Sequence, residues 1–283
     1  MNSNSEVQWI VVSDLDGTLL NHDSYDYHAA IPAIDLLKSK NIPIILNTSK
    51  TYDETITIRN VLGIDDPFIV ENGSCIYIPK TMISKAPVDA GTRDSYWEIM
   101  MGQTQEMISK VLKSIDISMS EYTRLSQCSI VQARKITGLN TDQAKQAIAR
   151  DFSEPILWNS TQKLLAQFLE IIEDRHLTAL QGGRFLHILG QCNKGMSTEK
   201  LKSFYSNVKT IILGDSANDA DMLKIADISV IVNSPASDLL KALVLPIIQT
   251  SAIAPEGWNE GITKALKTLQ ITQHVSCNRK NYE

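Results

Sequence analysis

Two aspartates two residues apart, Asp14 and Asp16, directly follow an unbroken apolar run and Ser13 in Trp9-Ile10-Val11-Val12-Ser13-Asp14-Leu15-Asp16. Alternation along an extended chain points both carboxylates the same way. Two negative groups facing one small volume are costly to hold ionised unless a cation neutralises them. Oxygen-only donors favour a hard ion, and Mg²⁺ is the usual choice where phosphate is also bound. A second acidic loop, Gly214-Asp215-Ser216-Ala217-Asn218-Asp219, follows another apolar run. There Asp215 would complete the Mg²⁺ shell, while Asn218 and Asp219 would fix metal-bound waters or hold Lys194. Between the two loops in chain order stand Thr48, whose hydroxyl suits a phosphate oxygen, and Lys194, whose ammonium would balance Asp14 and transferring phosphoryl oxygens. A carboxylate is a workable nucleophile toward phosphorus, and a second carboxyl beside it can act as acid and then base. Each residue also has a plainer reading: Thr48 and Ser49 as helix caps, Lys194 as a solvated lysine, Asp219 as a helix-start carboxylate. Their order along one chain is what favours chemistry.

The elements that must position these residues read as an alternation of strand and helix. Trp9–Val12 is β-branched and lacks polar alternation, which suits a strand covered on both faces. Ligands gather at the C-terminal end of such strands. A helix over 31–40, a strand over 42–46, a helix over 53–62 stopped by Gly63, and a strand over 68–70 follow. Glu71-Asn72-Gly73 turns the chain into a return strand over 74–78. From Pro79 the texture becomes polar and irregular. Residues 97–115 carry a long helical pattern, 129–133 suit a strand or a helix start, and 141–150 is helical with Thr141 as N-cap. Residues 155–158 read as a strand, 160–173 as an amphipathic helix, and 177–181 and 184–189 as strands joined at Gly182-Gly183. The first texture resumes with a helix from Lys194, strands over 209–213 and 228–232, and helices over 221–225, 236–242 and 258–269; the tail from Thr272 reads as loose. The expected fold is α/β: a doubly wound, mostly parallel sheet core, 1–85 and 190–283, with an inserted α+β cap over 86–189 for substrate specificity.

Composition sets outer bounds. The 283 residues carry a net charge of −5 without a basic tract, so neither nucleic acid nor an anionic membrane is an expected partner. The four cysteines, Cys75, Cys128, Cys192 and Cys277, form no CxxC pair, which disfavours a zinc site or disulfide framework. Met1–Glu6 shows neither a basic region nor an apolar segment, and no apolar run is long enough for a bilayer. The expectation is a soluble cytoplasmic protein.

Asp-Leu-Asp-Gly-Thr-Leu-Leu, Thr48, Lys194 and Gly-Asp-Ser-Ala-Asn-Asp together resemble the four motifs of the haloacid-dehalogenase-like phosphohydrolases. The resemblance implies that Asp14 attacks phosphorus to form an aspartyl-phosphate and that Asp16 protonates the leaving oxygen, then activates water. Mg²⁺ would be held by Asp14, the Asp16 carbonyl, Asp215 and waters. Finer segments, Asn47-Thr48-Ser49-Lys50-Thr51, Glu71-Asn72-Gly73, Phe152-Ser153-Glu154-Pro155, Gly182-Gly183-Arg184-Phe185-Leu186-His187 and Pro255-Glu256-Gly257-Trp258-Asn259-Glu260, resemble the mannosyl-3-phosphoglycerate phosphatase family. This likeness runs along almost the whole chain. It implies hydrolysis of mannosyl-3-phosphoglycerate, or the glucosyl analogue, to the glycosylglycerate and phosphate, whose products in that family are compatible solutes. Gln191-Cys192-Asn193 departs from the pattern by lacking an acidic residue before Lys194, and Ala217 and Ala220 are small.

Such a small phosphorylated glycoside carries a phosphate and a carboxylate, so cations are wanted. Arg184 and Lys50 can supply them, with Ser49, Glu71 and Asn72 as further substrate-side candidates, and Gly182-Gly183 offers unobstructed backbone N–H groups. Read alone, Gly182-Gly183 is a hairpin turn, Arg184 an exposed strand residue and His187 a packed cap histidine. Rival readings are a phosphatase for sucrose phosphate or a hexose phosphate, a phosphomutase, or a non-catalytic sugar-phosphate sensor on a borrowed fold.

Overall fold

A computed structural model describes residues 8–118, 120–245 and 247–279; the reading of Met1–Glu6 lies outside them. In chain order the elements begin with β1 (Gln8–Ser13), α1 (Ile31–Ser39), β2 (Ile44–Asn47), α2 (Tyr52–Leu62), β3 (Phe68–Val70), β4 (Cys75–Pro79), β5 (Gly91–Arg93) and β6 (Tyr96–Met100). They continue with α3 (Gln105–Ser114), β7 (Tyr122–Arg124), α4 (Ile130–Thr137), α5 (Thr141–Ile148), β8 (Ser153–Trp158), α6 (Gln162–Asp174), β9 (Leu177–Gly182) and β10 (Phe185–Gly190). The last stretch holds α7 (Lys194–Lys202), β11 (Val208–Gly214), α8 (Ala220–Lys224), β12 (Ile228–Asn233), α9 (Ser237–Leu243), β13 (Ile248–Ile253) and α10 (Glu256–Arg279). The chain divides into two compact units, Met1–Leu46 with Lys202–Glu283, and Asn47–Leu201.

The first unit is a parallel sheet in the order β13-β12-β11-β1-β2. Ile10, Val11 and Val12 of β1 and Ile211, Ile212 and Leu213 of β11 are fully buried, as expected for strands covered on both faces. Burial of each such side chain contributes roughly 1.5–3 kcal/mol. Ser13 pairs with Leu213 across the ladder, so Asp14 and the loop after β11 emerge side by side. The chain leaves β1 for β2 on one side and returns to β11 on the other, which makes the end of β1 a topological switch point. β13, which the sequence pattern does not reveal, lies at the sheet edge with Ile248 and Thr250 buried and Gln249 and Ser251 exposed. The tail read as loose from Thr272 instead continues α10 through Arg279.

The second unit contains the antiparallel set β3-β4-β6-β5 and a separate antiparallel sheet in the order β7-β8-β10-β9. Ile108, Leu112, Phe168 and Ile172 of α3 and α6 pack with Ile156, Leu186 and Ile188 of that second sheet. A smaller cluster of Leu125, Ala133 and Ala144 joins α4 to α5. The helical pattern expected over 97–115 resolves into two elements. Residues 96–100 become β6 because a partner strand is available from Pro79 to Cys75, and tertiary pairing overrides local pattern. Thr104 then caps α3 by accepting a hydrogen bond from the Met107 N–H. The ambiguous 129–133 segment is helical, begun by a Ser129–Gln132 capping box. Asn140, rather than Thr141, caps α5 through the same motif with Gln143. Cys75, Cys128 and Cys192 are free thiols. Among the described residues no helix is long and apolar enough to cross a membrane.

Candidate active site

The acidic loops of the first unit converge. Carboxylate oxygens of Asp14, Asp215 and Asp219 lie within 4.8 Å of one another, all three residues buried. Three buried carboxylates at this spacing, oxygen donors only, form a set suited to a hard divalent cation. Asp16 is half-buried one step along the same loop.

Local sequence explains the geometry. Leu15 O accepts hydrogen bonds from the N–H groups of Thr18, Leu19 and Leu20, which curls the chain immediately after Asp14. Gly17 adopts φ +83°, and a Cβ there would stand 2.6 Å from Asp215 Oδ2. Only glycine permits that approach without displacing the carboxylate. Thr18 Oγ1 donates to Asp215 Oδ1 at 3.0 Å. Asp219 Oδ2 accepts from the N–H groups of Asp215 and Ser216 at 3.0 and 3.1 Å, so this carboxylate shapes the loop that carries Asp215. Asn218 Oδ1 accepts from Ser216 Oγ at 2.6 Å. Behind the cluster, the fully buried Trp258 donates its indole N–H to Ser13 Oγ at 2.9 Å. Ser13 in turn donates to the Asp14 carbonyl at 2.7 Å. The sequence pattern did not disclose this anchor; its signal was only a tryptophan at the start of a helical run.

The second unit brings together the loop after β2, the turn after β3 and the start of α7. Thr48 is fully buried and its Oγ1 accepts the Lys50 N–H at 3.1 Å. The Asn72 N–H donates to Thr48 O, and the Glu71 N–H to Lys50 O. Asn47 Nδ2 donates to Lys194 O and to Thr198 Oγ1, both at 3.0 Å, fixing the first turn of α7 and with it the buried Lys194. Gly73 has φ +93°, and a Cβ there would meet Asn193 O at 2.3 Å.

The residues expected to meet substrate have varied settings. Lys50 Nζ lies 4.0 Å from Glu54 Oε1, both side chains largely buried. The Ser49 carbonyl accepts from Arg150 Nη1 at 3.0 Å. Glu71 is fully buried and accepts from the N–H groups of Asp151 and Phe152 and from Ser153 Oγ, with Arg150 Nη1 at 3.7 Å. Burial pushes its carboxyl upward, countered chiefly by Arg150. Gly182 packs on the His187 ring, a Cβ being 3.1 Å from Cδ2. Gly183 and Arg184 are exposed at the β9–β10 turn, where the Arg184 guanidinium donates to Ile136 O.

Arg150, absent from the residues singled out by sequence, links Ser49 to Ser153 and Glu71; as an isolated arginine after a short helix it carried no distinguishing signal. His187 is buried, and burial with the fields of Arg150 and Lys194 pulls its imidazole down to about 3. It is therefore neutral at physiological pH.

A family model for haloacid dehalogenase-like hydrolases matches residues 11–254. The chain belongs to that family. A glucosyl-3-phosphoglycerate/mannosyl-3-phosphoglycerate phosphatase of Methanococcoides burtonii is 37% identical over 259 residues, 89% of this chain and 95% of the relative. One of Persephonella marina is 32% identical over 268 residues, 92% of this chain and 98% of the relative. Among solved structures, a phosphatase of the haloalkanoate enzyme superfamily from Bacteroides thetaiotaomicron matches with a TM-score of 0.68 at 17% identity, covering 96% of this chain and 98% of that one. The likeness to the solved structure concerns the fold. Hydrolases of this family normally use Mg²⁺, and the buried carboxylate cluster has the donor chemistry for it.

Proposed function

We propose that the chain is a Mg²⁺-dependent phosphatase that hydrolyses glucosyl- or mannosyl-3-phosphoglycerate to the glycosylglycerate and phosphate. The observation that carries this reading is the 37% identity with a phosphatase of that description over 95% of its length. Asp14 attacks phosphorus, the bond from phosphorus to the glycerate oxygen breaks, and Asp16 protonates that departing oxygen. Asp16 then takes a proton from water, whose oxygen attacks phosphorus and releases Asp14. Thr48 and Lys194 serve phosphoryl oxygens as hydrogen-bond donor and cation. A Mg²⁺ ion at Asp14, Asp215 and Asp219, with the Asp16 carbonyl and Asn218 beside them, would neutralise and orient the phosphoryl oxygens. Ser49, Lys50, Glu71, Asn72, Gly182, Gly183 and Arg184 are assigned to the substrate side, and residues 86–189 to a specificity cap between core segments 1–85 and 190–283. The partner is a small phosphorylated glycoside and the compartment the cytoplasm.

The test is release of inorganic phosphate by the full chain, with and without Mg²⁺, from glucosyl- and mannosyl-3-phosphoglycerate, sucrose phosphate and a hexose phosphate. The expected result is a Mg²⁺-dependent kcat/KM roughly tenfold or more higher for the two phosphoglycerates, and loss of turnover in Asp14→Asn with the fold intact. Preference for sucrose phosphate or hexose phosphate, transfer back to sugar in place of free phosphate, or a near-wild-type Asp14→Asn enzyme would overturn it.

A further inference from the structure

Arg150 Nε and His187 Nδ1, two of the buried side-chain nitrogens of the second unit, are not used by the interactions described above. Among the described residues, neither Arg150 Nε nor His187 Nδ1 finds a hydrogen-bond partner. Both side chains are more than nine-tenths buried. A buried donor left without an acceptor costs about 1–3 kcal/mol, so folded proteins rarely keep one without a use.

Their surroundings specify what would satisfy them. Arg150 is tethered by Nη1 to the carbonyl of Ser49, the residue next to Thr48, and to Ser153 Oγ at 3.1 Å. The carboxylate nearest to it, Glu71, already receives two backbone N–H groups and the Ser153 hydroxyl. The guanidinium is thus held by its Nη1 end with Nε unspent. His187 sits on β10 with the bare backbone of Gly182 against its Cδ2–Nε2 edge. The groups whose charge presses on the ring are the cations Arg150 and Lys194. Across the β8–β10 ladder His187 pairs with Pro155, two residues from the Ser153 that Arg150 holds, so the two unmatched nitrogens belong to one end of that strand pair. A guanidinium and a neutral N–H are good donors to a carboxylate.

We propose that Arg150 and His187 form the subsite for the carboxylate of a phosphorylated acid, Arg150 donating through Nε–H and His187 through Nδ1–H. The proposal rests on the phosphatase reading, because it takes Thr48 and Lys194 to hold the phosphate of the same molecule. In a 3-phosphoglycerate unit the two anionic groups sit at opposite ends of three carbons. One subsite centred on Thr48 and Lys194 and another reached through the neighbouring Ser49 would accommodate them. The pair is a specificity device: it selects acids over alcohols and takes no part in the phosphorus chemistry.

The experiment compares two ligands that differ only in this group, 3-phosphoglycerate and glycerol 3-phosphate. Their binding to the full chain with Mg²⁺ is measured by calorimetry, independently of turnover. The expected result is a preference of about tenfold or more for the acid, the worth of one or two charge-assisted hydrogen bonds. Arg150→Lys and His187→Leu should each bring the two affinities together chiefly by weakening the acid. Circular dichroism of both variants shows that the comparison is made on folded protein, and His187→Leu keeps the test alive if Arg150→Lys fails to fold. A folded variant retaining the wild-type ratio, or a wild type blind to the carboxylate, overturns the subsite. If the wild type prefers the acid and the variants lose that preference while no glycosyl phosphoglycerate is hydrolysed, the phosphatase assignment fails and the subsite stands.

Discussion

Substituting Gly17 by alanine tests whether the tight turn after Asp14 exists to let Asp215 approach. The backbone there has φ +83°, and the new Cβ would stand 2.6 Å from Asp215 Oδ2 and 2.9 Å from its Cγ, about 1 Å inside ordinary contact. A residue with a Cβ pays roughly 1–2 kcal/mol for left-handed backbone. Moving the Asp215 carboxylate aside also forfeits its hydrogen bond from Thr18 Oγ1 at 3.0 Å, about 1.5–3 kcal/mol for a charged acceptor. The two terms together predict a loss of about 2.5–5 kcal/mol. Displacing a ligand of the acidic cluster by a large fraction of an ångström should lower kcat/KM on the order of a hundredfold and raise the Mg²⁺ concentration for half-maximal rate. The control is Gly138→Ala: Gly138 has φ +80° but nothing within 4 Å of its would-be Cβ. It should pay only the backbone cost and keep its rate and Mg²⁺ dependence within about twofold. Urea unfolding and initial rates across a Mg²⁺ titration read both effects. A Gly17→Ala enzyme indistinguishable from Gly138→Ala in rate and Mg²⁺ requirement would refute the argument that this glycine fixes the cluster.

Ser13→Ala should destabilise the protein by about 1–3 kcal/mol in urea unfolding, because the buried Trp258 N–H loses its acceptor. Its rate should also fall, since the Asp14 carbonyl loses the Ser13 hydroxyl. His187 supplies a pH prediction. Its folded value of about 3 lies below the ordinary 6.5, so below about pH 6.5 the unfolded chain binds a proton that the folded chain refuses. Stability from this group is complete above that pH and falls by about 1.4 kcal/mol per unit as pH drops toward 3. Urea unfolding at pH 7 and pH 5 should show a shallower decline for His187→Leu than for the wild type. Parallel declines would exclude the histidine as the source.

Residue type and order in the sequence determined the chemistry-bearing positions of the acidic loops. Asp14, Asp16, Gly17, Asp215 and Asp219 sit at the ends of β1 and β11, whose fully apolar, β-branched runs have no stable place except between covering layers. Gly17 belongs to the same short segment, and its φ of +83° is one that glycine adopts without the cost a Cβ would add. Pairing and burial, by contrast, are properties of partners distant in sequence. Residues 96–100 carry a helix-compatible pattern and become a strand because β4 is there to receive them. β13 shows only the weak alternation of an edge strand. The same limit hid Arg150 and the role of Trp258: a lone arginine or tryptophan advertises nothing until Ser49, Glu71 or Ser13 is folded against it. Local pattern fixes which face a side chain can present. Only the assembled chain decides which hydrogen-bond groups on that face are already spent and which, like Arg150 Nε and His187 Nδ1, have no partner among the described residues.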